Sequence, residues 1–161
     1  MNGNGEEAPS GPEPSGSKPS GSKRSAAFDV AALARLLPPA AGTLISDMRL
    51  VDSPDAGLRL FRANGPVPKH LHRFSDEYLM VVQGRATFRI DDEPETELKP
   101  GQVVFFERGT WHGFPRLIEE PFVILAFEVP ARDPADVVFF DRKDRPFIET
   151  TERPEEPGAG G

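Results

Sequence analysis

From Thr43 onward the chain is written as short apolar runs separated by Gly, Pro and Asp. The runs predict strands at 43–51, 57–64, 77–83, 85–91, 95–98, 102–107, 111–115 and 122–129, with one more apolar run at 137–141. Within 85–91, Arg85, Thr87 and Arg89 alternate with Ala86, Phe88 and Ile90, which assigns one wet and one buried face. Gly84 is read as a turn between two strands, and Pro100-Gly101 as the centre of a type II turn in which Gly supplies the positive φ. Many short strands with turn signals and little helix predict an antiparallel sandwich or barrel. One helix precedes it. Asp29 caps it, Val30, Leu33, Ala34 and Leu37 recur at helical spacing, and Pro38-Pro39 stops it, so it is expected to pack on the outside of the core.

The ends read differently. Residues 1–24 hold five Gly, five Ser and four Pro with no aromatic or β-branched residue, a composition that does not offset the entropy of ordering. The expected organisation is a disordered tail at 1–24, a helix and linker at 25–42, a barrel with a C-terminal extension at 43–152, and a second disordered tail at 153–161. At 161 residues this is one domain with a real core.

Charge and composition narrow the function. The 26 Asp+Glu against 19 Lys+Arg give a net charge of −7 and no basic stripe, which argues against nucleic acid. There is no cysteine, so disulfides, thiolate metal sites and a catalytic thiol are excluded. No basic-then-apolar leader and no apolar run near the ~18 residues of a membrane span is present; no membrane association and a cytoplasmic location are the expectation.

The candidate chemistry lies in the histidines. The chain has three, His70, His72 and His112. On a strand His70 and His72 leave the same face, where two imidazoles can lean toward one ion. Glu77 follows after enough chain to turn and start the next strand, and His112 lies on a later one. Asp76 competes with Glu77 for the carboxylate role, but strand neighbours face opposite ways, and Trp111 should accordingly face away from His112's side, toward a second layer or a partner subunit.

Gly65-x4-His70-x-His72-x4-Glu77-x6-Gly84 resembles the first motif of the cupin superfamily, and Gly101-x5-Glu107-x-Gly109-x2-His112 resembles the second. Gly65 sits one residue closer to His70 than usual, Glu107 replaces a proline, and Arg116 stands where asparagine is common; none of these removes a ligand. The resemblance implies an all-β cupin barrel (double-stranded β-helix, or jelly roll) with one short N-terminal helix. It implies His70, His72, Glu77 and His112 as ligands of one divalent transition metal, Fe or Mn first, with Ni, Co, Cu or Zn as alternatives. Three neutral imidazoles and a carboxylate leave a divalent ion near +1, and six-coordination leaves two positions open, unlike a closed structural site.

Three functions follow from that layout. The leading one is a dioxygenase-like oxidoreductase acting on a small molecule, with Phe88, Phe105, Phe114 and Ile124 serving as dry pocket lining or plain core. The second is a metal-dependent isomerase, epimerase or lyase, which needs a general base; Glu107 and Glu128 are the nominees, both read as exposed. The third is a non-catalytic small-ligand binding or sensory module. No catalytic residue beyond the ligands and no organic-cofactor motif is assigned. The resemblance also implies a homodimer, and the 137–141 run is expected either to cover a partner's edge strand or to pack back on its own barrel.

Overall fold

The computed structural model describes residues 25–39, 42–141 and 148–151, so both tails expected from composition lie outside the described residues. One short helix, α1 (Val30–Ala34), is capped by Asp29, whose carboxylate accepts from the Ala32 amide at 2.9 Å. Among the described residues nine strands follow: β1 (Ile45–Asp52), β2 (Gly57–Ala63), β3 (Val67–Leu71), β4 (Asp76–Ile90), β5 (Thr96–Leu98), β6 (Val103–Phe106), β7 (His112–Val129), β8 (Val138–Phe139) and β9 (Ile148–Thr151). They join in the order β5-β4-β7-β2-β1-β9, with β6 added to β4, β3 to β7, and β8 to β3. This is the mostly β, jelly-roll barrel with one short helix that the sequence implies.

Two cores lie on opposite faces of the central strands. Inside the barrel, Phe61, Leu79, Val81, Phe106, Phe114, Phe122, Ile124 and Ala126 form one cluster. Outside, Ala34 and Leu37 at the helix meet Met48, Leu50, Leu60, Val123 and Leu125. Strands buried on both faces therefore read as continuous apolar runs, as at 122–126.

Four expectations need correction. Gly84 does not end a strand: β4 runs through it, and its partner β7 runs unbroken through Pro121, where the sequence predicts separate strands at 111–115 and 122–129. Gly84 has φ +78, and a Cβ there would meet the Pro121 carbonyl oxygen at 2.3 Å and that of Glu119 at 2.5 Å. It is a kink where two long strands bend together and the ladder slips register, which is why both glycine and Pro121 imitate strand breaks in the sequence. The third correction is β3, which is missing from the predicted strand ranges although His70 and His72 are read as strand neighbours; it ends at Leu71, one residue before His72. The fourth concerns faces: Thr87 is buried opposite Glu97 and Arg116, and Phe105 points outward against the Tyr78 ring at 4.7 Å rather than lining the interior. The Pro100-Gly101 turn is present, with Gly101 at φ +84 and the Gln102 amide donating to the Lys99 carbonyl.

The 137–141 run packs on its own barrel. Phe139 pairs with His70 and Val138 with Leu71, so β8 covers the edge of β3.

Candidate metal centre

On β1, β2, β4 and β7, residues two apart point into the barrel, and each inward row carries a charge among apolar residues: Asp47 with Ile45, Arg59 with Phe61 and Ala63, Glu77 with Leu79 and Val81, Glu128 with Ala126 and Ile124. All four charged residues are buried. Register gathers them at one end, since Glu77 and Gly57 both pair with Glu128. The three histidines sit beside this layer. His70 is on β3, opposite His112 at the start of β7, and His72 follows β3.

Each imidazole is held from behind by the main chain. His70 Nδ1 lies 2.8 Å from the Pro68 carbonyl oxygen and His112 Nδ1 2.9 Å from that of Thr110, while His72 Nδ1 meets the carbonyl of Asp136. A carbonyl only accepts, so Nδ1 carries the proton in each ring and Nε2 is left with its lone pair. Phe106 stacks on His112 at 4.1 Å and 9°, fixing that ring further. One ligand atom from each histidine lies within 4.8 Å of the others. The Nε2 atoms of His72 and His112 are buried without a hydrogen-bond partner. Glu77 turns one carboxylate oxygen toward them, 3.7 Å from His72 Nε2 and 3.4 Å from His112 Nε2.

Converging lone pairs and a carboxylate oxygen, with no donor between them, repel one another in a buried space. A cation removes that repulsion, and nitrogen and oxygen donors without sulfur suit a divalent ion of intermediate hardness. The residues therefore fit a metal.

Glu77 faces inward while its neighbour Asp76 faces out, where it accepts from the Arg108 backbone amide, Nε and Nη2 at 2.8–2.9 Å. Arg108 holds the Asp76 carboxyl down at about 2. Glu77's other oxygen accepts from Arg59 Nη2 at 3.1 Å. Burial penalises the Glu77 charge; where His112 and His72 carry a proton on Nε2 they donate to it, and together with the Arg59 guanidinium they hold the carboxyl well below the ordinary range. Burial lowers the His70 pKa well below its ordinary value, reinforced by His112 and His72.

Sequence reasoning missed the charges behind the histidines and Glu77. Arg59 donates Nε to Glu128 at 2.7 Å and lies 3.9 Å from Asp47; Arg132 donates Nε to the same Glu128 oxygen at 2.8 Å. Burial disfavours the Arg59 cation, yet Glu128, Glu77 and Asp47 raise its pKa. Asp136 accepts from the Arg73 and Phe74 amides. A signal existed for three of them: a charge in phase with core residues on a strand, at Asp47, Arg59 and Glu128. Glu128, expected to be exposed, is 2 % exposed and committed to two arginines. Glu107 is exposed, as expected of it. Arg116, which stands where asparagine is common in the second motif, is exposed on the outside and paired with Glu95. Trp111 meets Phe140 edge-on at 5.3 Å, away from the imidazoles.

Beside the histidines is a cavity of about 30 Å³, with Leu44, Ile45, Val67, Val137 and Phe139 as its apolar wall and Arg59, Arg132, His70 and His72 as its polar side. Among the described residues no helix is long and apolar enough to cross a membrane.

Residues 58–128 match the family model described as the cupin domain. No curated protein sequence matches the chain. Similar solved structures include an uncharacterized conserved protein with a double-stranded β-helix domain from Klebsiella pneumoniae, with a TM-score of 0.58 and 21% identity over 74% of this chain and 100% of that one. KdgF from Halomonas sp. aligns with a TM-score of 0.50 and 24% identity over 56% of this chain and 83% of its own. A DMSP lyase from Ruegeria pomeroyi aligns at 0.52 and 22% identity, over 60% of this chain and 51% of its own. These likenesses establish a shared fold.

Proposed function

Because residues 58–128 match the cupin domain model, we propose that the chain is a metal-dependent enzyme of cupin type acting on a small molecule, with His70, His72, Glu77 and His112 as the ligands of one divalent ion. The observation that carries this reading is the set of three imidazoles, each tied through Nδ1 to a main-chain carbonyl and offering its remaining nitrogen to one buried point. Such an ion, Fe or Mn first, supplies a Lewis-acidic and redox-active centre with coordination positions left for ligands from solution.

The chain's own residues position and protect that centre. The Pro68, Thr110 and Asp136 carbonyls set the tautomers, Arg59 orients Glu77 while keeping it ionised, and Leu44, Ile45, Val67, Val137 and Phe139 exclude water. Within this reading a dioxygenase-like oxidoreductase is favoured over an isomerase, epimerase or lyase. Acid–base chemistry needs an uncommitted base, and neither nominee qualifies: Glu128 is locked between Arg59 and Arg132, and Glu107 lies on the surface.

The first test is elemental analysis of protein purified without added metal. Near-stoichiometric transition metal is expected, and its absence after reconstitution with Fe(II) or Mn(II) sinks the reading. Glu77→Ala should lower metal content several-fold while Asp76→Ala leaves it near wild type; equal losses contradict the ligand assignment. Anaerobic Fe(II) loading, followed by O2 with catechols, enols and diketones, then separates the reactions. Oxygen uptake supports the oxidoreductase, whereas turnover that persists without oxygen moves the protein to the isomerase or lyase class. A small molecule released unchanged from the purified protein points instead to a binding module. The homodimer expected from the family is read out by sedimentation equilibrium.

A further inference from the structure

Arg59 and Arg132 share the Glu128 oxygen, but they are not equivalent. Arg59 is spoken for on every side, by Glu128 through Nε, Glu77 through Nη2 and Asp47 near Nη1. Arg132 makes its bond through Nε, and its Nη1 is buried with no acceptor. The residue is only 6 % exposed, and it lines the cavity that also holds His70 and His72. A buried guanidinium N–H without an acceptor is costly, because water is gone and nothing replaces it. The apolar residues around it, Leu44, Ile45, Val67, Val137 and Phe139, offer no acceptor side chain.

We propose that Arg132 is a specificity residue that binds the carboxylate of the substrate in the cavity beside His70 and His72, making small carboxylic acids the substrate class. The inference rests on the metal-centre reading given above. An ionised acceptor at a guanidinium forms a short, strong and directional bond, stronger than one to a neutral amide oxygen. A space of about 30 Å³ takes little more than the carboxylate head, so formate, with three heavy atoms, is the probe that asks least of it.

The experiment uses the full chain loaded with Co(II), reading metal content by elemental analysis and ligand binding by the visible absorption of the bound ion. Formate should bind saturably, and its neutral isostere formamide should bind at least about ten-fold more weakly. In Arg132→Met the formate dissociation constant should rise about ten-fold or more with Co(II) content unchanged, and Arg132→Lys, which keeps a charge without the planar fork, should fall between. Should Arg132→Met not fold, the loss in Arg132→Lys decides alone, with a change of less than about two-fold counting against the proposal. Co(II) uptake with equal formate affinity in wild type and variants, or formamide binding as well as formate, overturns the role of Arg132 and leaves the metal centre standing. Failure of the wild-type protein to take up Co(II) removes the metal centre and this inference together.

Discussion

At the scale of single residues, Arg59 is the group on which the buried charges depend. It is the shared counter-ion of Asp47, Glu77 and Glu128, each 2–3 % exposed. A carboxylate buried without its cation is penalised far more than the intact pair contributes. Arg59→Met in chelator-treated protein is therefore expected to cost about 3–5 kcal/mol in denaturant unfolding, because Arg132 reaches Glu128 but Glu77 is left facing only imidazole lone pairs. A loss below about 1 kcal/mol contradicts the account. The residue scale is also where sequence spacing worked best. His70 on β3 faces His112 across the ladder, His72 follows just past the strand's end, and one strand parity on β4 turns Glu77 toward them. Asp76 and Glu77 are adjacent acids with opposite fates for that reason alone.

At the scale of elements, two features separate strand pattern from strand reality. Gly84 and Gly101 both have positive φ, but only Gly84 is also crowded, with two carbonyl oxygens within 2.5 Å of where a Cβ would sit; nothing lies within 4 Å at Gly101. Gly101→Ala should cost about 1–2 kcal/mol of backbone strain, whereas Gly84→Ala adds a clash with β7 and should cost more in thermal or denaturant unfolding. The reverse order contradicts the kink. The segment 136–140 is the second feature. It supplies the carbonyl behind His72, a carboxylate for two amides, and a strand, β8, whose Phe139 ring stands 5.8 Å from His70. Asp136→Ala orphans the Arg73 and Phe74 amides and should destabilise by about 1–3 kcal/mol. Hydrogen exchange at the Phe140 amide, which donates to the Lys69 carbonyl, should rise with it; unchanged exchange there means the carboxylate does not anchor the segment.

At the scale of the whole molecule, the site makes stability depend on pH. In the metal-free protein the folded His70 has its pKa lowered by burial and by His112 and His72. Above about pH 6.5 the ring is neutral in both folded and unfolded chains. As pH falls below that, the unfolded chain takes up a proton that the folded one refuses, so stability declines by up to about 1.4 kcal/mol per pH unit until the folded value is reached. Glu77 and Glu128, both with lowered folded values, add a further loss as pH drops below about 4.5. Denaturant midpoints of chelator-treated protein between pH 7.5 and 5 should fall, and His70→Gln should flatten the upper part of that decline. A flat wild-type profile in this range is incompatible with the buried neutral ring. Bound metal steepens the dependence, since protons compete for the same nitrogens.

Local periodicity is legible in the chain: one helix with its cap, strands of period two, and the spacing of His70, His72, Glu77 and His112. These are local properties, set by backbone geometry within a few residues. Tertiary structure alone decided which charges are internal. That Asp47, Arg59, Glu128 and Arg132 form one buried group depends on strand register and on pairs distant in sequence, such as Arg59 with Glu128, 69 residues apart, and Glu77 opposite Glu128. It also decided that β4 and β7 run unbroken through Gly84 and Pro121, because a bend relieved by a missing Cβ looks the same as a turn until its partner strand is seen. The spacing of the three histidines and Glu77 is written locally, residue by residue; the polar layer behind them exists only once four strands bring their ends together.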